Sequence, residues 1–326
     1  MDPRAPADYT SQNLRNHPAL FFGCILLAVA ATAVSGCRRS KEAAVSPGRL
    51  GDYDADGKAD LVVYRPTESK WYILPSSENF KNGTTALFGL AGDIPVPGDY
   101  DGDGTNDLAV YRPASATWLV KQSGRGSVVS YHIGGSTEIP VPADYDGDHK
   151  TDIAVYRPSN GAWSILQSSQ NYAATVPYTL GLGTDTPAAG DYDGDGKADF
   201  AVFRRPTAIW HIMGSRPGST LFAPQWGLDG DIPVPGDYDG DGQTDLAVFR
   251  PGIARWYVRK PSIDVQFGLP GDIPVPGDFD GDGRTDIAVF RPPTGTWYVL
   301  QSSTSFTMSI NVQWGLPGDI PILRRP

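Results

Sequence analysis

The chain has almost no thiol chemistry to offer. Of 326 residues two are cysteine, Cys24 and Cys37, and none lies beyond position 37. Disulfides, zinc–thiolate sites and a cysteine nucleophile are therefore excluded from the rest of the chain. Histidine is also scarce. Three of the four, His132, His149 and His211, follow the N-terminal region, and no HExxH pair, nucleophile elbow or phosphate-binding loop is present. A basic excess is missing: 27 Lys and Arg stand against 37 Asp and Glu, a formal charge of −10 that argues against nucleic acid as partner. With 38 Gly and 29 Pro, long helices are disfavoured and short strands joined by turns are favoured. The one long apolar run, FFGCILLAVAATAV at 21–34, is short for a membrane-spanning helix.

What the chain has in abundance is one acidic loop, repeated six times at intervals of 41 to 47 residues. It reads GDYDADGKAD at 51–60, GDYDGDGTND at 98–107, ADYDGDHKTD at 143–152, GDYDGDGKAD at 190–199, GDYDGDGQTD at 236–245 and GDFDGDGRTD at 277–286. Repetition at this period means stacked units, each too small to bury its apolar surface alone. Counted from the first Asp, position 1 is Asp52, Asp99, Asp144, Asp191, Asp237 and Asp278, and position 3 is Asp54, Asp101, Asp146, Asp193, Asp239 and Asp280. Position 5 is Asp56, Asp103, Asp148, Asp195, Asp241 and Asp282, and position 9 is Asp60, Asp107, Asp152, Asp199, Asp245 and Asp286.

Four carboxylates so close repel one another unless a hard cation sits among them. Position 7 varies (Lys58, Thr105, Lys150, Lys197, Gln243, Arg284), as expected of a residue that lends its carbonyl oxygen and leaves its side chain free. An all-oxygen, anionic donor set selects Ca²⁺ over zinc or copper, and up to six ions are expected. Six divalent ions would carry the net charge from −10 to about +2. An EF-hand is excluded, because position 12 is Val63, Val110, Val155, Val202, Val248 or Val289 and no flanking helices are readable. Two loops depart from the pattern: His149 replaces the position-6 Gly, and Ala55 replaces a Gly at position 4, the milder change.

After each loop comes an apolar run: LVVY, LAVY, IAVY, FAVF, LAVF or IAVF. A strand apolar at every position is buried on both faces. Each run leads into an Arg (65, 112, 157, 204, 250, 291), and six residues later stands a Trp (71, 118, 163, 210, 256, 297). The constant offset fixes a hairpin. Its Arg and Trp read as packing between units, or alternatively as sugar contacts. Four short strands per unit, packed face to face around an axis, describe an all-β β-propeller of six blades with four antiparallel strands each. A seven-bladed ring is the alternative, but a seventh loop or a seventh Trp at the same offset from an Arg is not visible. The tail GDIPIL at 318–323 is a lead-in with no loop after it, as expected of a strand that completes the first blade.

The loop string D-x-D-x-D-G-x-x-D before an apolar strand resembles the calcium loops of FG-GAP repeats, known from integrin α-subunit propellers, and of bacterial VCBS-type repeats. FGLAGDIPVP at 88–97 and FGLPGDIPVP at 267–276 match the FG-GAP motif loosely. The resemblance implies a calcium-stabilised propeller over 51–326, used for adhesion or ligand binding. Residues 1–36, ending in small residues before Cys37, resemble a bacterial lipoprotein signal. That likeness implies export, lipid attachment at Cys37, a tether over 37–50, and a place on the cell envelope.

The expected function is a non-enzymatic binding or adhesion module for a protein or glycan ligand. A lectin-like propeller is the alternative, using the repeated Arg and Trp with Asp93, Glu138, Asp231, Asp272 and Asp319; a polysaccharide-acting enzyme ranks behind it. Specificity is expected in the stretches that break the repeat, at 76–87, 168–179 and 213–225.

Overall fold

The computed structural model describes residues 50–323. The leader, Cys37 and all but the last residue of the tether lie outside the described residues. Among those described, no helix is long and apolar enough to cross a membrane.

Six antiparallel sheets form six blades in a ring, as the repeat count predicts. Blade 1 holds β1 (Leu61–Arg65), β2 (Lys70–Leu74) and β3 (Thr84–Leu87). Blade 2 runs β4 (Ile94–Pro95), β5 (Leu108–Arg112), β6 (Thr117–Lys121) and β7 (Val128–His132). Blade 3 runs β8 (Ile139–Pro140), β9 (Ile153–Arg157), β10 (Ala162–Leu166) and β11 (Thr175–Thr179). Blade 4 has β12 (Asp185–Pro187), β13 (Phe200–Arg204) and β14 (Ile209–Met213). Its fourth strand is reduced to two bridges, Ile209↔Gln225 and Ile212↔Phe222. Pro224 lies between them and has no N–H to give a ladder.

Blade 5 runs β15 (Ile232–Pro233), β16 (Ala247–Arg250), β17 (Arg255–Val258) and β18 (Ile263–Gln266). Blade 6 runs β19 (Ile273–Pro274), β20 (Ile287–Arg291), β21 (Thr296–Leu300) and β22 (Ser309–Gln313). The last strand, β23 (Ile320–Pro321), pairs with β1 through Val63↔Pro321 and Tyr64↔Ile320. The tail therefore closes the ring, and the seven-bladed alternative is set aside.

The second strand of each blade is buried on both faces, and the core explains why. In blade 1, Leu61 and Val63 pack with Phe279, Phe290 and Trp297 of blade 6. Val62 and Tyr64, pointing the other way, pack with Val110 of blade 2. Alternate residues thus serve two neighbouring blades, so none is left to face water. The residue before each Arg meets the Trp across the hairpin: Tyr64↔Trp71, Phe203↔Trp210 and Phe290↔Trp297, for example, with ring centroids 5.2 to 5.4 Å apart.

The six tryptophans that follow the arginines have 0% exposure, which removes them as sugar platforms. The arginines are occupied too. Five make a two-bonded fork with an aspartate in or just before the short first strand of their blade, as Arg112 does with Asp93 at 2.8 and 2.9 Å and Arg65 with Asp319 of the tail at 2.7 and 2.9 Å. Arg157 bonds Glu138 at 2.5 Å through Nε. The acids singled out beside the Ile-Pro steps are thus the partners of the arginines.

Candidate metal centre

Each acidic loop is shaped by its own first and last aspartates. Asp52 accepts the Ala55 N–H at Oδ1 (2.7 Å) and the Gly57 N–H at Oδ2 (2.9 Å). The same two bonds recur from positions 4 and 6 in the other five loops, at 2.6 to 2.9 Å. Folding both amides back onto one carboxylate needs φ > 0 at positions 4 and 6, which explains the glycines there. His149 and Ala55 adopt φ of 68° and 65° and keep the bonds. Ala55 is therefore no milder a change than His149; both hold an L side chain in the left-handed region.

Position 9 anchors the loop to the blade. Asp60 Oδ2 accepts the Tyr53 N–H at 2.8 Å, and Oδ1 accepts the Ser76 N–H at 2.7 Å. Ser76 Oγ then donates to Asp56 of position 5 at 2.8 Å. Ser123, Ser168, Ser215 and Ser302 repeat the arrangement in blades 2, 3, 4 and 6. These serines, five residues after each Trp, were not singled out from sequence. Ser76, Ser168 and Ser215 lie within the length-variable stretches, so 76–87, 168–179 and 213–225 stand beside the acidic loops.

Three carboxylates converge in each of five loops. One oxygen from each of positions 1, 3 and 9 lies within 4.8 Å of the others: Asp52, Asp54 and Asp60; Asp99, Asp101 and Asp107; Asp144, Asp146 and Asp152; Asp191, Asp193 and Asp199; Asp237, Asp239 and Asp245. The sixth loop repeats the same backbone bonds through Asp278, Asp286 and Asp280. The position-5 carboxylates do not join the five trios; they accept the position-7 N–H at 2.8 to 3.0 Å.

Position-7 side chains are not free. The stems of Lys58, Lys150, Lys197, Gln243 and Arg284 lie over Gly281, Gly102, Gly147, Gly194 and Gly240, the position-4 residues of the preceding loops. By the same succession, Thr105 corresponds to Ala55. Backbone bonds join the loops as well. The position-8 N–H donates to the position-1 carbonyl of the loop before it: Asn106 to Asp52, Thr151 to Asp99, Ala198 to Asp144, Thr244 to Asp191, Thr285 to Asp237 and Ala59 to Asp278, at 2.5 to 2.7 Å. Six loops are thus hydrogen-bonded in a closed circle.

Burial of these carboxylates opposes their charge. It pushes Asp60, Asp152, Asp245 and Asp286 up to about 7, and Asp107, Asp199 and Asp278 up to about 6. Asp52, Asp99, Asp144, Asp191 and Asp237 are raised for the same reason. Backbone N–H groups pull each of them back only in part. A bound divalent cation reverses that preference, because it is the largest charge in such a site. Asp193 fits this need: its Oδ1 and Oδ2 are buried and make no hydrogen bond, with Arg216 Nε 3.5 Å from Oδ1. An all-oxygen, carboxylate-rich donor set of this kind fits a hard cation.

The FG-GAP-like repeat model matches residues 52–110, 99–155, 144–202 and 237–289, together more than half of the chain. The chain belongs to the FG-GAP-like repeat family. No curated protein matches it in sequence.

Solved structures resemble it in fold only. An Agrocybe aegerita lectin that recognises non-reducing terminal N-acetylglucosamine is 14% identical with a TM-score of 0.48, covering 76% of this chain and 87% of the lectin. Virginiamycin B lyase from Staphylococcus aureus, in an inactive form with quinupristin, is 10% identical with a TM-score of 0.47, covering 82% and 93%. A functionally unknown protein from Desulfotomaculum acetoxidans is 13% identical with a TM-score of 0.47, covering 78% and 80%. Likeness at this level carries nothing about activity.

Proposed function

We propose that this FG-GAP-like propeller is exported, anchored to a membrane through Cys37, and stiffened by up to six Ca²⁺ ions as a non-enzymatic binding or adhesion module. The reading is carried by the convergence of the position-1, -3 and -9 carboxylates within 4.8 Å in five loops. Asp52, Asp54 and Asp60 and their counterparts would hold the ion, with the position-5 carboxylate and position-7 carbonyl nearby. Bound calcium supplies charge neutralisation. The chain's own residues do the rest: position-1 aspartates fold the loops, position-9 aspartates and serines fasten them to the blades, and position-8 amides link neighbours. A rigid ring of loops suits display better than turnover.

Calorimetric titration of chelator-treated protein with Ca²⁺, paired with thermal melting with and without EDTA, tests the reading. Several bound ions and a higher melting temperature are expected, since ligands that bind only the folded form stabilise it. Absence of binding heat with an unchanged melting temperature sinks it.

A carbohydrate-binding propeller is the second reading, and one observation favours it. Between blades 1 and 6 lies a shallow cavity of about 350 Å³, lined by Arg65, Tyr72, Gln313, Trp314, Gly315 and Leu316. Unlike the six core tryptophans, Trp314 is partly exposed there. Binding on a glycan array that Trp314→Ala abolishes would favour this reading.

A further inference from the structure

The six loops are not equal. In five blades the third strand runs on into a serine that serves the acidic loop twice, by N–H to position 9 and by Oγ to position 5. In blade 5 this place is taken by Pro261, preceded by Lys260. Proline has no N–H and no hydroxyl, so both bonds are lost. Asp245 is 7% exposed, whereas Asp60, Asp107, Asp152, Asp199 and Asp286 are at 0%.

In place of the serine hydroxyl comes a charge. Lys260 Nζ stands 3.0 Å from Asp241 Oδ2 and 4.0 Å from Asp239 Oδ2, at positions 5 and 3. Two other loops have a basic group nearby: Arg216 beside Asp193 at 3.5 Å and Arg284 beside Asp282 at 2.5 Å. Both of those loops keep their serine, through Ser215 and Ser302. Loop 5 alone, among the six, combines a missing serine with an added cation.

We infer that the fifth loop is the weak, readily exchanged calcium site of the ring, its charge already partly balanced by Lys260. The inference rests on the calcium reading of the loops. An incoming Ca²⁺ must displace or face the ammonium, and Asp245 keeps only the Tyr238 N–H of the two backbone bonds that hold position 9 in the other blades. Lys260 is 72% exposed, so the ion pair alone weakens binding only about twofold to fivefold. Loss of the N–H bond to Asp245 adds more, for a total of about tenfold. Emptying this loop first would soften the 237–245 stretch and its backbone bonds to loops 4 and 6 (Thr244 to Asp191, Thr285 to Asp237) while the rest of the ring stays loaded.

Calcium titration of the full chain by calorimetry should resolve two classes, with one site about tenfold weaker. Asp239→Asn should delete the weak class and leave the tight one. The double change Lys260→Gln with Pro261→Ser copies Gln167-Ser168 of blade 3 and Gln301-Ser302 of blade 6, and should merge the weak site with the others. A single class of equivalent sites in the unaltered chain overturns the inference, as does a weak class that survives Asp239→Asn. If circular dichroism shows the double variant misfolded, the unaltered and Asp239→Asn isotherms decide alone. Failure of every loop to bind calcium would instead sink the reading beneath it.

Discussion

Arg65 holds Asp319 across 254 positions of sequence, Nε to Oδ1 at 2.7 Å and Nη2 to Oδ2 at 2.9 Å. Four other arginines make this fork with an acid only 19 residues before them. In blade 1 the acid comes from the far end of the chain, because the tail supplies that blade's inner strand. Asp319 Oδ2 also accepts the Leu316 N–H at 2.8 Å, so one carboxylate fixes a turn and a strand together.

Asp319→Ala should therefore unlatch the ring. It strips the buried partner from an arginine whose side chain is only 14% exposed, and such a loss costs about 3–5 kcal/mol. Glu68, 3.1 Å from Arg65, retains part of the pairing and places the loss at the lower end, about 3 kcal/mol. Urea denaturation would measure it, and hydrogen exchange at Ile322, whose N–H donates to Val62, should accelerate most. An unchanged midpoint would show that the fork is not the latch.

Calcium and pH should act in opposite senses. In metal-free protein the position-9 aspartates sit at about 6 to 7, above the ordinary value of 3.8. Between those limits the folded chain binds more protons than the unfolded one, so stability falls as pH rises. Metal-free protein should thus lose stability from about pH 4 to pH 7 and level off above. With saturating Ca²⁺ the slope should invert, because the ion binds the deprotonated form and protons compete with it. Melting curves at both ends of that range, with calcium and with EDTA, would show the crossing; parallel profiles would refute it.

The parts legible in sequence were those repeated six times in side chains. The aspartate spacing, the apolar second strand and the Arg-to-Trp offset each recur, so chance resemblance in one unit is corrected by the others. Backbone contacts left no such trace: nothing in the letters says that the Thr244 N–H meets the Asp191 carbonyl of the loop before it. Arg65 and Asp319 each stand out in the sequence, but their pairing is a property of strand register, which the letters do not carry. Asp185 escaped because Thr186-Pro187 replaces the Ile-Pro step that marks the other acids. The serines escaped because they sit where repeat lengths diverge and because blade 5 has Pro261 instead.

Ser302→Ala offers a clean test of those serines. Ser302 is 0% exposed, its N–H bonds Asp286 at 2.6 Å, and its Oγ bonds Asp282 at 2.9 Å. Alanine keeps the first bond and removes the second. A lost hydrogen bond to a charged group costs about 1.5–3 kcal/mol where the acceptor is left buried, and less here because Asp282 is partly exposed. A destabilisation of about 1 kcal/mol in EDTA is expected by urea denaturation, with one calcium site weakened several-fold by calorimetry. Calcium affinity equal to that of the unaltered chain would separate the serine from the site.

His149→Gly should stabilise the third loop. At φ of 68° a non-glycine residue carries about 1–2 kcal/mol of steric cost, which glycine does not. Glycine returns about 0.5–1 kcal/mol through the freer unfolded chain, so the net gain is about 0.5–1 kcal/mol. The N–H that bonds Asp144 Oδ2 at 2.9 Å is kept, and the imidazole is exposed, so no other contact offsets the gain. Ala55→Gly, at φ of 65° in the first loop, should behave alike, which sets strain apart from anything particular to histidine. Urea midpoints in EDTA would compare the two. If neither variant rises, the left-handed backbone at positions 4 and 6 is not what makes glycine the rule there.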